Sequence, residues 1–310
     1  MMSALLRSLP VKQAQTRRRS QIHIQPILLP FAGDVARWGA ARGPEAILSA
    51  GLAPALEAHG HVVAEPVSVT FPREKRTRDV VTNLGYLAAR LSDAVASALD
   101  SGRFPLVLEG NCTGAVGPAG GVARARGAAG IVWYDAHGDL HTLATTSTGL
   151  LGGMPFAVCL GWEFDDWRER AGLRAPVRPE AAALIGASDL DPEEEAALAA
   201  HPIARLDAAL IGADSAERTA ALLEPRAGAA PGWYLHIDLD VGGPEEVPGV
   251  LTPAPHWPAR ADLFASIAAA ARSVPLACLG LAGYDPGGDP SGRGARLAVE
   301  MAAAALGPAC

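Results

Sequence analysis

Two apolar segments of this chain close in the same way. Gly130-Ile131-Val132-Trp133-Tyr134 runs into Asp135-Ala136-His137-Gly138-Asp139, and Trp233-Tyr234-Leu235-His236-Ile237 runs into Asp238-Leu239-Asp240. Short runs this apolar read as strands buried on both faces, and such strands belong to parallel sheets covered by helices. In open sheets of that kind the strand ends carry the chemistry. In extended backbone Asp135, His137 and Asp139 share one face. Grouped carboxylates are costly unless a cation, a proton or a histidine compensates them. A single Asp-x-Asp pair reads as a solvated loop; a second pair closing a second apolar strand points to a shared site.

The remaining pattern supports an α/β chain. Strands are expected over 22–31, 62–69, 104–108, 182–185 and 275–281, besides the two above. Helices are expected after Gly43-Pro44 and over 78–99, 193–200, 215–223, 260–272 and 294–306. Residues 154–160 read as helix or strand, and 203–213 are ambiguous. A polar loop covers 142–153, and a Gly/Pro loop containing His256 covers 242–258. Loops that long are functional or disordered. With no repeat and no linker, residues 21–310 read as one domain, preceded by a flexible leader over 1–20. Its Arg17-Arg18-Arg19 triplet reads as a solvated tail.

A chain of 310 residues with 49% hydrophobic content and a net charge of −7 can build a large core and gives no sign of a nucleic-acid surface. Cys112, Cys159, Cys278 and Cys310 form no CxxC pair or disulfide framework, so a reduced, cytoplasmic setting is expected. No run approaches ~18 consecutive apolar residues, so no membrane span is expected. No self-association surface is readable, which leaves the oligomeric state open.

Taken together, these motifs resemble the ureohydrolase superfamily of arginase, agmatinase and formiminoglutamase over most of residues 23–300. Asp135-Ala136-His137-Gly138-Asp139 matches its Asp-Ala-His-x-Asp motif in full, and Asp238 and Asp240 match its later pair. Gly43-Pro44 and the stretch near 185 are similar too. The resemblance implies a three-layer α/β/α sandwich with a mainly parallel sheet and a two-manganese cluster at the strand ends. Asp135, His137, Asp139, Asp238 and Asp240 would occupy ligand positions. The departures fall in the same site. Where the family has Gly-Gly-Asp-His-Ser, this chain reads Glu109-Gly110-Asn111-Cys112-Thr113, so Cys112 replaces a ligand histidine. Gly243, Gly152 and Gly283 stand at positions of a family Asp, His and Glu, and His256 is an addition.

Manganese prefers oxygen and imidazole donors, whereas thiolate suits zinc or iron. The changes therefore lead to the expectation of a cysteine-dependent acyl-transfer enzyme without a cofactor. Cys112 at a helix start would be the nucleophile, with Thr113 and Gly114 near the oxyanion. His256 would be the base, oriented by Asp135 or Asp139. His137, His141, His236 and Asp238 would support them, with His141 and His236 as fallback bases. The pattern resembles the Dieckmann cyclases of tetramate and pyridone biosynthesis. That resemblance implies a polyketide–aminoacyl thioester delivered on the phosphopantetheine of an acyl or peptidyl carrier protein. The alternative is a metal-dependent hydrolase of a guanidino, ureido or formimino compound, holding manganese or zinc through Cys112, Asp135, His137, Asp139, Asp238 and Asp240. A third expectation is a non-catalytic homologue that scaffolds a complex.

Overall fold

The structure is a computed structural model and describes residues 20–309. The expected leader, apart from residue 20, lies outside the described residues, as does Cys310. The chain opens with β1 (His23–Leu29), buried beyond its first residue, and a small antiparallel hairpin of β2 (Phe31–Ala32) and β3 (Val35–Ala36). Pro30 separates β1 from β2; with no N–H to donate, proline interrupts the pairing. Next come α1 (Gly43–Ser49), with Pro44 in its first turn, and α2 (Leu52–Ala58). The strand expected over 62–69 is divided in two, β4 (Val62–Val63) and β5 (Val67–Ser68), with Pro66 in the gap. α3 (Val80–Asp100) is capped by Asp79, whose carboxylate accepts from the Val81 and Thr82 amides.

The central part runs β6 (Phe104–Glu109), α4 (Val116–Arg126), β7 (Gly130–Tyr134), α5 (Pro155–Cys159) and α6 (Asp165–Arg170). The stretch expected over 154–160 as helix or strand is thus helical over 155–159. β8 (Ala182–Ile185), α7 (Pro192–Ala200) and β9 (Ala204–Leu206) follow, so the ambiguous 203–213 stretch begins as a strand. The chain closes with α8 (Ser215–Leu223), β10 (Trp233–Asp238), α9 (Arg260–Ser273), β11 (Leu276–Ala282) and α10 (Arg293–Leu306). Among the described residues no helix is long and apolar enough to cross a membrane.

Among the described residues, nine strands form one sheet in the order β4-β1-β6-β11-β10-β7-β8-β9, with β5 also on β1. Its pairings are parallel throughout, as buried apolar strands joined by helical crossovers require. Helices flank it in two groups: α3, α4 and α6 pack together, and α8, α9, α10 and α1 form the other. The glycines of α4 serve this packing. A side chain at Gly117 or Gly121 would press on Leu91 or Val95 of α3, so their absence lets the two helices approach closely. The consequence for function is positional. β6, β11, β10 and β7 are adjacent and parallel, so residues leaving their carboxyl ends gather at one edge of the sheet.

Candidate active site

Asp135 follows β7 directly and Asp238 is the last residue of β10, and each motif is folded back by its own first carboxylate. Asp135 Oδ1 accepts from the His137 amide at 2.8 Å, and Asp238 Oδ1 accepts from the Asp240 amide at 3.0 Å. The motif residues are therefore brought together by turns. The extended alternation expected for Asp135, His137 and Asp139 does not occur, because β7 ends at Tyr134 and Asp139 adopts a left-handed backbone (φ 51). The two turns are tied to each other: the Ala136 amide donates to Asp240 Oδ1 at 3.1 Å. His137 Nδ1 lies 3.3 Å from Asp135 Oδ1 and 3.1 Å from Asp240 Oδ2. Ligand atoms of Asp135, His137 and Asp240 fall within 4.8 Å of one another.

Deeper in the sheet, the other Asp135 oxygen faces different partners. Oδ2 accepts from Trp133 Nε1 at 3.0 Å and lies 3.8 Å from Cys112 Sγ. The Cys112 thiol donates to Asp238 Oδ2 at 2.7 Å. His236 stands beside them on β10, wholly buried against Trp133. Behind it, Tyr234 OH lies 2.8 Å from His236 Nδ1 and donates to Glu109 Oε1 at 2.7 Å. Gly280 on β11 leaves the room in which Tyr234 and Glu109 meet.

These residues line a cavity of about 500 Å³, the size of a small-molecule site. Its floor holds Cys112, Asp135, His137, Asp139, Asp238 and Asp240. Its wall carries His141, Asp189, Asp191 and Glu194. His141 Nε2 pairs with Asp191 Oδ2 at 3.0 Å, and its Nδ1 meets Thr145 Oγ1 at 3.2 Å. Buried Glu194 accepts from the Leu140 amide and the Asp191 amide, which pins the Asp139–His141 loop to the start of α7.

The electrostatics show a centre short of positive charge. Burial, then repulsion from Asp240, pushes Asp238 up to about 7; burial, then Asp135, pushes Asp240 up to about 6. Burial also raises Asp135, and burial with Asp135 and Asp238 holds Asp139 well above the usual carboxylate range. Burial pulls His137 down, but the Asp135 and Asp240 carboxylates outweigh it and hold it up at about 12, as an imidazolium. Asp139 Oδ2 and His236 Nε2 are buried and meet no protein partner among the described residues. Carboxylates pushed toward protonation, a charged histidine between two of them, and orphaned oxygen and nitrogen atoms are what a divalent cation would relieve. The donor set fits such an ion.

The structure thus gathers most of the residues singled out in the sequence: Cys112, Asp135, His137, Asp139, His141, Asp238 and Asp240 face one cavity, with His236 directly behind it. It does not bring in His256, which is exposed on the 242–258 loop and is absent from the cavity lining. Thr113 donates to Asn111 Oδ1 at 2.6 Å and is itself buried. Gly114 packs against Glu109 and Leu29. At Gly283 (φ +85) any Cβ would strike the Asp238 carboxylate, so the wall stays open there. Sequence reasoning passed over Trp133, Glu109, Tyr234, Asp191 and Glu194. Two signals were available: Tyr234, His236 and Asp238 alternate on one strand face, and Asp191-Pro192-Glu193-Glu194 spells a capping box, which the helix forms.

Known proteins resemble this chain over most of its length. The arginase family model matches residues 24–307. The arginase of Bacillus subtilis is 34% identical over 242 residues, 74% of this chain and 79% of that protein. The arginase of Agrobacterium fabrum is 28% identical over 310 residues, covering 96% and 95%. The crystal structure of the Bacillus cereus arginase superposes with a TM-score of 0.82 at 27% identity, covering 92% of this chain and 98% of that one. These findings overturn the expectation of a cysteine-dependent Dieckmann cyclase of tetramate or pyridone biosynthesis, and with it the acyl or peptidyl carrier protein as partner. The physics of Cys112 agrees. Burial, then the Asp238, Asp139 and Asp135 charges, hold its thiol well above its ordinary range, the reverse of what a thiolate nucleophile needs. The expectation of a cofactor-free centre falls too, since the donors fit a divalent cation.

Proposed function

The chain belongs to the arginase family, and from that premise we propose that it is a metal-dependent hydrolase that splits a C–N bond of a small guanidino compound. The observation that carries this reading is the convergence of Asp135, His137 and Asp240 donor atoms within 4.8 Å on the floor of an acidic cavity. Asp135, His137, Asp139 and Asp240 would hold the cation, with Asp238 and Cys112 beside them. Such an ion supplies Lewis-acid polarisation and a lowered pKa for water.

The chain's own residues do the rest. Asp189 and Asp191 on the wall and Asp238 on the floor favour a cationic guanidinium over a neutral or anionic ligand. Asp238 stands open to the cavity because Gly283 carries no side chain in front of it. Water adds to the guanidino carbon and releases one proton as the C–O bond forms, the C–N bond breaks, and the departing amine gains a proton, leaving urea and the free amine. His141 is the group placed to deliver it. It lines the cavity, and Asp191 orients its ring at 3.0 Å.

The test is urea release from a panel of guanidino compounds by the chain stripped with chelator and reloaded with manganese or zinc. The reading expects turnover that depends on the added ion and disappears in Asp240→Asn. Absence of urea from every compound, with an ion bound, would overturn it.

A further inference from the structure

We infer that the buried side of this centre is a sulfur-containing cation site, built from Cys112, Asp135 and His236, that takes zinc in preference to manganese. The inference rests on the metallohydrolase reading and goes beyond it, because it names donors and an ion that the Asp135–His137–Asp240 group does not require.

Three observations support it. Ligand atoms of Cys112, Asp135 and His236 lie within 4.8 Å of one another, and all three residues are buried. Asp135 divides its oxygens between the two donor groups: Oδ1 faces His137, and Oδ2 lies toward Cys112. One carboxylate thus serves a hard, oxygen-rich side and a soft, sulfur-bearing side.

The third observation concerns the histidine. His236 is fully buried, and its Nε2 meets no protein partner among the described residues. With Tyr234 donating its hydroxyl hydrogen bond to Glu109 Oε1, its oxygen is left to accept from His236, the arrangement that places the ring proton on Nδ1. That tautomer leaves Nε2 with a free lone pair. A histidine whose far nitrogen is fixed by an outer hydrogen bond is the arrangement metal-binding histidines use. A core histidine packed for its shape alone has no need of a Glu109–Tyr234 chain behind it.

Thiolate, imidazole and carboxylate together favour zinc over manganese, which prefers oxygen donors. Binding requires Cys112 to release its thiol proton, now donated to Asp238 Oδ2, to solvent.

The experiment strips the full chain with chelator and adds Co²⁺ alone, then Zn²⁺ alone. It reads the near-ultraviolet absorption of the cobalt form and the X-ray absorption of the zinc form. The inference expects a thiolate-to-cobalt charge-transfer band and one sulfur scatterer at ~2.3 Å from zinc. Cys112→Ser should lose both. Tyr234→Phe keeps the ring packing but frees His236, and should weaken zinc binding ~10–100-fold while manganese binding holds. Ions bound through oxygen and nitrogen alone in the wild-type chain would overturn the inference and leave the hydrolase reading standing. A chain that binds no divalent ion would end both.

Discussion

The two sides of the centre share a sheet edge and one carboxylate, yet they are built on different principles. On the open side, Asp135, His137 and Asp240 lie on turns that their own carboxylates fold, next to a cavity wall with His141 and Asp191. On the buried side, Cys112, His236, Tyr234 and Glu109 come from β6, β10 and the turn after β6, and are held by strand register. Turn-built donors are oxygen-rich and reach the substrate. The register-built groups are buried: His236, Tyr234 and Glu109 lie behind the cavity, and of these four residues Cys112 alone reaches its floor. The contrast implies a division of labour: the open side performs chemistry and the buried side fixes the identity of an ion.

The largest effect should come from the residue both sides share. Asp135→Asn should abolish urea release and cost more than the ~10–100-fold in metal affinity that loss of an outer partner costs. If metal content and turnover survive, the two sides do not meet at Asp135. Next is the wall. His141→Ala should lower kcat by ~10²–10⁴-fold with metal content unchanged, as loss of a proton donor does. A fall in bound metal instead would move His141 into the metal centre.

A finer test sets the two sides against each other. Cys112→Ser should shift the ion preference toward manganese and Asp240→Asn toward zinc, each by ~10-fold or more, read by competition titration. The same direction in both variants would erase the distinction.

The smallest effect is on stability. Asp238, Glu109 and His137 are held up at about 7, 8 and 12, so above pH ~6.5 the native chain keeps protons the unfolded chain has released. His236, pulled down to about 3 by burial, acts in the opposite sense, but only below the ordinary histidine value of ~6.5. From pH 6.5 to 8 the metal-stripped chain should therefore lose stability, by on the order of 1 kcal/mol or more in urea unfolding. Saturating zinc or manganese should flatten the slope. Stability that rises over this window in the stripped chain would contradict the charge-deficit picture.

The open side was legible in the sequence because its donors fall in two short motifs, each closing an apolar run. Asp135-Ala136-His137-Gly138-Asp139 carries its own spacing, and the apolar runs before both motifs set their place at a sheet edge. The parallel α/β architecture followed from the same runs. The buried side was not legible as a unit. Glu109 and Tyr234 meet only because β6 and β10 flank β11, where Gly280 leaves room for them, and no spacing along the chain encodes that. Cys112 was read as a nucleophile from its helix-start position. Burial and three aspartates decided its chemistry instead, and all three lie far away in sequence. His256 was read into the site because the resemblance places its loop beside the strand ends, but the position of a loop does not fix which way each of its residues turns, and this one carries His256 to the surface.

The most direct test of the central claim is urea release from guanidino compounds by one preparation, measured as isolated, after chelation, and after reloading with manganese or zinc. Membership in the arginase family and the Asp135–His137–Asp240 convergence predict turnover that vanishes on chelation and returns with the ion. Turnover unaffected by chelation, or a metal-loaded chain that releases no urea from any of them, would contradict the account.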